Sequence, residues 1–210
     1  AWYYPPLNSQ ISLPPLLVKS HSGPTGMAHS GLNLEVQFWT SRGWGVVDVN
    51  YGGSSGFGRE YRDRLKGNWG LVDVLDCTKA AQSLVASGRA NKDCIAIIGS
   101  SASGFTALGC LVSNDIFNIA ACKYAVTDLI SMANSTHRFE ECYLDYLIGN
   151  IESDHEKYIK RSPIENVNCI NVPLILFHGF KDKVISAEQS IAIKDELLKR
   201  DIPVEINLFE

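Results

Sequence analysis

The stretch IAIIGSSASGFTAL, residues 95–108, predicts a strand, a sharp turn and a helix in immediate succession. Its β-branched, apolar start is typical of a buried strand, and the residues after the small ones follow a helical pattern. Ser101 lies at the apex of the predicted turn, where its hydroxyl can stand clear of the sheet edge and reach a substrate carbonyl. Gly99, Ser103 and Gly104 are small enough for such a cramped turn. The stretch therefore indicates an α/β fold with a candidate nucleophile.

The turn departs at one position from the G-x-S-x-G pattern of a nucleophile elbow. Here the pattern is Gly99-x-Ser101-x-Ser103, and Gly104 comes one place late. An ordinary strand-to-helix turn, in which serine side chains cap the helix, is the alternative. The turn alone does not distinguish a nucleophile elbow from a capped strand-to-helix turn, so other motifs of the chain are needed.

The composition is that of an ordinary soluble protein of one domain, with 210 residues, 45% of them hydrophobic and 20% charged, and a net charge of −4. This balance gives no reason to expect a nucleic acid or an anionic membrane as a partner. No uninterrupted apolar run is long enough to span a bilayer, and the first residues carry no signal-like segment. We expect a cytoplasmic protein.

The six cysteines are dispersed, and the lack of any C-x-x-C pair argues against a zinc site. We predict no metal, no cofactor and reduced, structural thiols, as suits a cytoplasmic compartment. The even count leaves a disulfide framework as the alternative. The cysteines are Cys77, Cys94, Cys110, Cys122, Cys142 and Cys169.

Strand and helix patterns alternate along the chain, and the strands are continuous apolar runs. This predicts an open, doubly wound, mostly parallel α/β sheet with helices on both faces. Residues 127–163 contain no strand pattern, so we expect a helical insertion over one end of the sheet. The predicted strands are 16–21, 44–50, 94–98, 119–126, 172–178 and 203–209; the predicted helices are 32–42, 59–65, 72–86, 102–112 and 186–199, the last with Ser186 as N-cap three residues before Gln189.

Three loops that follow strands should meet at the carboxyl edge of this sheet, where open α/β folds bind ligands. They are the glycine-rich loop 52–58, the turn at Ser101 and the loop containing Asp182. The glycine-rich loop is also a candidate phosphate cradle, but it contains neither nucleotide-binding glycine pattern. The clustering favours a functional turn at Ser101.

A serine nucleophile needs a base, and the base needs an acid to orient it. In α/β-hydrolases the chain order is serine, acid, histidine, and Asp182 has the position of the acid; the alternative is a solvated turn aspartate. No histidine follows Asp182, and His178 is expected to support its loop. We therefore expect the base just beyond the last strand, after Glu210. The histidines are His21, His29, His137, His155 and His178.

Acyl transfer also needs hydrogen-bond donors for the developing oxyanion. The backbone N–H of Ala102, the residue after the candidate nucleophile, is one donor. The second can come from the loop 52–58 or from the turn formed by His21, Ser22 and Gly23.

The assembled motifs resemble the catalytic domain of the prolyl oligopeptidase family, in its acylaminoacyl-peptidase and dipeptidyl-aminopeptidase branch. The resemblance covers nearly the whole chain. Each motif alone is weak, but the ordered set is specific. The motifs are residues 3–6, 14–25, 49–59, 69–74, 136–140, 143–145, 161–164 and 177–184.

The resemblance implies that residues 1–210 form an α/β-hydrolase domain, which an N-terminal β-propeller outside this chain closes. It implies serine peptidase or acyl-peptide hydrolase activity on short peptides, with Ser101 as nucleophile and Asp182 as triad acid. The triad histidine would belong to a G-x-x-H-G-like stretch after Glu210, so we expect the 210-residue fragment itself to be inactive. A homo-oligomer is a further possibility.

Three positions depart from the family pattern. Ser103 and Ser22 each replace a glycine, and Phe57 replaces the usual tyrosine of the oxyanion site, whose hydroxyl a phenyl ring cannot supply. These departures leave two alternatives to a peptidase. One is a non-catalytic relative with a binding or oligomerisation role, and the other is a carboxylesterase-like hydrolase.

Overall fold

The computed structural model describes residues 1–7, 12–135 and 141–210. A seven-stranded sheet has the order β1-β3-β2-β4-β5-β6-β7, and its pairings are parallel except that β1 runs antiparallel to β3. The strands are β1 (Trp2–Tyr4), β2 (Leu16–Ser20), β3 (Gly45–Val49), β4 (Ile95–Ser100), β5 (Ile119–Lys123), β6 (Leu174–Gly179) and β7 (Val204–Phe209).

Helices separate most of the strands, as the alternating pattern predicts. They are α1 (Leu34–Thr40), α2 (Arg59–Asp63), α3 (Val72–Ala86), α4 (Ala102–Ser113), α5 (Leu129–Ser135), α6 (Glu141–Leu147), α7 (His155–Arg161) and α8 (Ala187–Leu198), and a 3₁₀ helix covers Pro163–Cys169. The described part of residues 127–163 contains helices and no strand, as predicted. His137 and the whole motif at 136–140 lie outside the described residues.

Helices cover both faces of the sheet. Successive strand residues point to opposite faces, and the apolar side chains on each face are buried under helices. Leu16 and Val18 face the larger core, which includes buried residues of α3, α4 and α8. Leu17, between them, packs with Val36 and Trp39 of α1 on the other face. The predicted doubly wound, mostly parallel α/β architecture is confirmed.

The structure adds one strand that the sequence pattern missed and corrects one capping prediction. The edge strand β1 was not predicted, because three residues before a pair of prolines give too short a pattern. Ser186 does cap α8, accepting a hydrogen bond from the Glu188 amide at 3.3 Å. Gln189 does not complete a capping box; it is buried, and its Oε1 accepts from the Thr127 and Asp128 amides at 2.7 and 3.1 Å. Its side chain ties α8 to the end of the β5 loop.

The cysteine side chains that the structure describes are free thiols, as predicted: Cys77, Cys94, Cys110, Cys122 and Cys169. Three of them, Cys77, Cys110 and Cys122, are buried in the larger core. Burial raises the pKa of Cys122 to about 12, so that thiol stays protonated at neutral pH.

Each helix in the described ranges is too short or too polar to span a bilayer.

Candidate active site

Ser101 lies in a strained turn between β4 and α4. Its φ of 52° and ψ of −121° fall in a region that non-glycine residues rarely occupy. The turn is held from both sides. The Ser101 amide donates to the Lys123 carbonyl at 3.0 Å, and the Ser101 carbonyl accepts from the Phe105 amide at 3.1 Å. The predicted strand, sharp turn and helix are therefore confirmed.

The Ser101 side chain does not cap α4: within the described residues it makes no capping hydrogen bond to the helix. This distinguishes the turn from the ordinary capped turn that the sequence left open. We refer to residues 99–104 as the elbow. A Cβ at Gly99 would collide with the Ser103 carbonyl, and one at Gly104 would come within 2.6 Å of the Ala125 Cβ. The elbow therefore needs glycine at both positions.

Ser103, which stands at the second glycine position of the pattern, is buried and fully used. Its Oγ accepts from the Ser100 amide at 2.8 Å and donates to the Ser100 carbonyl at 3.0 Å. The hydroxyl thus binds both polar backbone groups of the residue that precedes Ser101. The departure from glycine adds two hydrogen bonds to the elbow.

A cavity of about 110 Å³ opens beside Ser101. Ala102 and Gly23 both line it, so a candidate second oxyanion donor lies at the His21 turn. The Ala102 amide is at the N-terminus of α4, where helix amides lack intrahelical partners and the dipole favours negative charge. The remaining wall is mostly apolar and consists of Pro24, Trp69, Val126, Met132, Tyr143, Leu144, Leu147, Val184 and Ile185.

The glycine-rich loop 52–58 is differently engaged. The Gly52 amide donates to Asp76 Oδ2 at 2.7 Å, and the Gly53 amide donates to the Tyr61 carbonyl at 3.0 Å. Phe57 is half-exposed, and its ring centroid lies 5.3 Å from that of Tyr61. The Gly52 and Gly53 amides therefore serve the protein itself and are not free to bind a phosphate or an oxyanion.

Two side chains support the loop that contains Gly23. His21 stacks on Tyr51 with ring centroids 4.3 Å apart, and its Nε2 lies 2.6 Å from Ser54 Oγ. Burial lowers the pKa of His21 to about 4, so its imidazole is neutral at physiological pH. The Tyr51 hydroxyl donates to the Pro24 carbonyl at 2.9 Å. These contacts fix the loop against the sheet.

Asp182 lies in the loop after β6, and one of its oxygens is fully engaged. Asp182 Oδ1 accepts from the Val184 and Ile185 amides at 2.8 and 3.1 Å. Both of these residues line the Ser101 cavity, so the Asp182 loop reaches the elbow. The second oxygen, Oδ2, is 3.9 Å from His178 Nε2 and is available to a further donor.

None of the histidines in the described ranges lines the Ser101 cavity. His178 is buried, with Nδ1 2.7 Å from Ser190 Oγ and Nε2 donating to the Ile185 carbonyl at 2.8 Å. It supports the Asp182 loop, as predicted. His29 and His155 are exposed.

The sequence reasoning missed the residues that build the wall of the cavity. Trp69 is fully buried, and its ring centroid lies 4.4 Å from that of Phe105. Its indole N–H has no hydrogen-bond partner within the described residues. Arg161 donates to the Trp69 and Gly67 carbonyls at 2.9 and 3.0 Å. Trp69, Tyr143 and Arg161 all belong to motifs quoted above, but a motif gives no contact between distant stretches.

A buried carboxylate supports the same region. Asp73 at the start of α3 accepts from the Gly70 amide at 2.7 Å and from the Thr106 hydroxyl at 2.6 Å. Burial raises its pKa to about 6, although these hydrogen bonds oppose the rise. Asp73 thereby joins the Trp69 segment to α4, the helix that begins at the elbow.

The class of α/β-hydrolases is defined by a mostly parallel α/β sheet with a serine at a strained strand–helix turn, and this chain has both features. The structural neighbours of the chain are peptidases of that class. The chain belongs to the prolyl oligopeptidase family, whose sequence profile it matches over residues 30–210.

Among the solved structures, the chain is similar to a puromycin-hydrolyzing peptidase of Mycobacterium tuberculosis, with a TM-score of 0.96 and 41% identity over 99% of this chain and 32% of that one. It is also similar to the Pyrococcus horikoshii acylaminoacyl peptidase, with a TM-score of 0.90 and 26% identity over 100% of this chain and 34% of that one.

Among characterised relatives, the mouse acylamino-acid-releasing enzyme is 28% identical over 97% of this chain and 28% of its own length. Dipeptidyl aminopeptidase BIII of Pseudoxanthomonas mexicana is 27% identical over 93% of this chain and 29% of its own length. The chain thus spans less than a third of the length of these two relatives.

Proposed function

We propose that this chain is the catalytic domain of a serine peptidase that cleaves short peptides or acyl-peptides through an acyl-enzyme. The observation that carries the proposal is the position of Ser101. Its strained backbone holds a hydroxyl that makes no capping hydrogen bond to α4, beside a cavity that Ala102 and Gly23 line. A nucleophile next to candidate oxyanion donors is one part of what acyl transfer requires, and it supports the proposal.

In the proposed reaction, Ser101 Oγ attacks the substrate carbonyl and its proton passes to an imidazole. The Ala102 and Gly23 amides donate to the oxyanion, each contributing about 3 kcal/mol by analogy with comparable sites. Asp182 Oδ2 accepts from the imidazole and holds it in place. The imidazole then protonates the leaving amine, and water hydrolyses the acyl-enzyme.

The proposed base is a histidine outside the described residues. His178 has both ring nitrogens engaged, and His21 is stacked on Tyr51 with Nε2 against Ser54. A histidine that follows Glu210 remains the leading candidate, and on that proposal the 210 residues alone do not turn over substrate. A further domain, expected to be a β-propeller, is part of the same proposal.

The cavity favours a large apolar or aromatic side chain on the acyl side of the scissile bond. Its wall is built from apolar side chains such as Val126, Leu144 and Trp69, and burying an aromatic ring there contributes a few kcal/mol. Because a puromycin-hydrolyzing peptidase is 41% identical, tyrosyl amides and puromycin are the first substrates to test.

Fluorophosphonate labelling of the natural full-length protein tests this proposal. We expect covalent labelling that Ser101→Ala abolishes and that Ser100→Ala retains, since Ser100 is the adjacent hydroxyl. Hydrolysis of a tyrosyl amide should disappear with the label. A folded protein that takes up no label would instead support the non-catalytic alternative, and turnover of esters without amides would support the esterase.

The absent tyrosine hydroxyl at Phe57 is the observation that favours the non-catalytic alternative. In our proposal the Gly23 amide supplies the second donor, so Phe57→Tyr should change turnover by less than about twofold. A large gain in turnover would show that position 57 belongs to the oxyanion site and that Phe57 weakens it.

A further inference from the structure

We propose that the Ser103 hydroxyl positions the nucleophile Ser101. Ser103 stands where the elbow pattern has glycine, and its hydroxyl makes two hydrogen bonds that glycine could not make. The inference rests on the proposed function of Ser101. Ser103 follows Ser101 by two residues, and its Oγ binds the amide and the carbonyl of Ser100 at 2.8 and 3.0 Å. One side chain thus clasps the residue on the other side of the nucleophile.

The clasp completes a set of restraints around Ser101. On one side, the Ser101 amide is held by the Lys123 carbonyl of β5 at 3.0 Å. On the other side, its carbonyl accepts from the Phe105 amide inside α4. The Ser103 hydroxyl adds the link between the last residue of β4 and the first turn of α4. Because a φ of 52° is costly for serine, the turn persists only where its surroundings hold it.

Ser103 acts through the backbone and does not reach the substrate. It is 1% exposed. It lines a different cavity, of about 360 Å³, which lies between the sheet and α1 and includes Ile98, Trp39 and Phe177. The cavity beside Ser101 does not include it. A change at Ser103 can therefore affect the reaction only by moving the elbow.

Loss of the hydroxyl leaves the Ser100 amide and carbonyl without their partner and frees the turn to relax. A displacement of the nucleophile affects bond formation more than substrate binding. We expect Ser103→Ala and Ser103→Gly to lower kcat about tenfold with little change in KM. Ser103→Thr keeps the hydroxyl and should restore at least half of the lost activity.

The experiment compares these three variants in the full-length protein by tyrosyl-amide kinetics, by the rate of fluorophosphonate labelling and by thermal unfolding. Ser162→Ala is the matched control. Ser162 is equally buried, and its Oγ also makes two backbone bonds, from the Leu129 amide at 3.0 Å and to the Tyr158 carbonyl at 2.8 Å. We expect this control to lower the melting temperature and to leave kcat within twofold.

Wild-type kcat in both the alanine and glycine variants would overturn the proposal. So would a loss of kcat that threonine does not restore, or an equal loss in Ser162→Ala, since either would indicate a general effect on folding. These outcomes differ from failure of the proposed function. In that case the wild-type protein itself would show no label at Ser101.

Discussion

Replacing Gly104 by alanine tests how closely α4 must approach the sheet to form the elbow. The new Cβ would lie 2.6 Å from the Ala125 Cβ and 2.9 Å from the Ala125 Cα. Ordinary carbon contacts are about 3.5–4.0 Å, so α4 would have to retreat by about 1 Å. Such overpacking costs about 1–3 kcal/mol, and the upper value applies because the Ala125 backbone cannot rotate away.

Helix propensity opposes this cost by about 1 kcal/mol, since alanine is favoured over glycine inside a helix. We therefore expect Gly104→Ala to lower the free energy of unfolding by about 2 kcal/mol. Gly109→Ala, in the same helix, gives the matched control. Its Cβ would meet a side-chain methyl, Val74 Cγ2, at 2.8 Å, which a small rotation can relieve. The gain in propensity should then roughly cancel the contact.

Urea unfolding of the two variants beside the wild type measures the difference, and the labelling rate at Ser101 reports the displacement of the elbow. We expect Gly104→Ala to be less stable than Gly109→Ala and to label more slowly. If Gly104→Ala is as stable as its control, the close approach of α4 to Ala125 does not constrain the elbow, and the reasoning is refuted.

Two further predictions concern titratable side chains. As the pH falls, His21 takes up a proton in the unfolded chain before it does so in the folded one, because the folded pKa of about 4 lies below the ordinary 6.5. Relative to His21→Gln, the wild type should therefore lose about 3 kcal/mol of stability between pH 7 and pH 4, measured by urea unfolding. An equal pH dependence of the two proteins would contradict this. Asp182→Asn should lower kcat by about four orders of magnitude, as in comparable triads, with labelling slowed in parallel; near-normal turnover would remove Asp182 from the triad.

Much of the sheet could be predicted from the sequence because its strands are buried on both faces. A strand such as β4 is a continuous apolar run that ends in small residues, and periodicity detects such a run directly. β1 escaped detection because its three residues are ordered by pairing with β3, which is a contact between distant parts of the chain. Gln189 shows the same limit, since its partners at Thr127 and Asp128 lie about sixty residues away.

The candidate site was predictable in its residues but not in its contacts. The sequence indicated Ser101 and Asp182 from their places after strands, and their roles stay predictions. It left the second oxyanion donor open between two loops, and the geometry favours the Gly23 loop because Gly23 shares a cavity with Ser101. At Ser103 the sequence showed only a departure from the glycine pattern, whereas the folded chain shows that its hydroxyl makes two hydrogen bonds.

Hydrogen bonds from the helical segment 127–163 hold the part of the Ser101 cavity wall that contains Trp69. The Gly67 and Trp69 amides donate to the Tyr146 and Leu147 carbonyls, and Arg161 holds the carbonyls of the same two residues. A change in the length of that segment, or a substitution of Arg161, would therefore shift the indole without altering any residue of the elbow. On the proposed function, the shape of the substrate cavity and the position of the nucleophile can then vary independently, because different parts of the chain hold them.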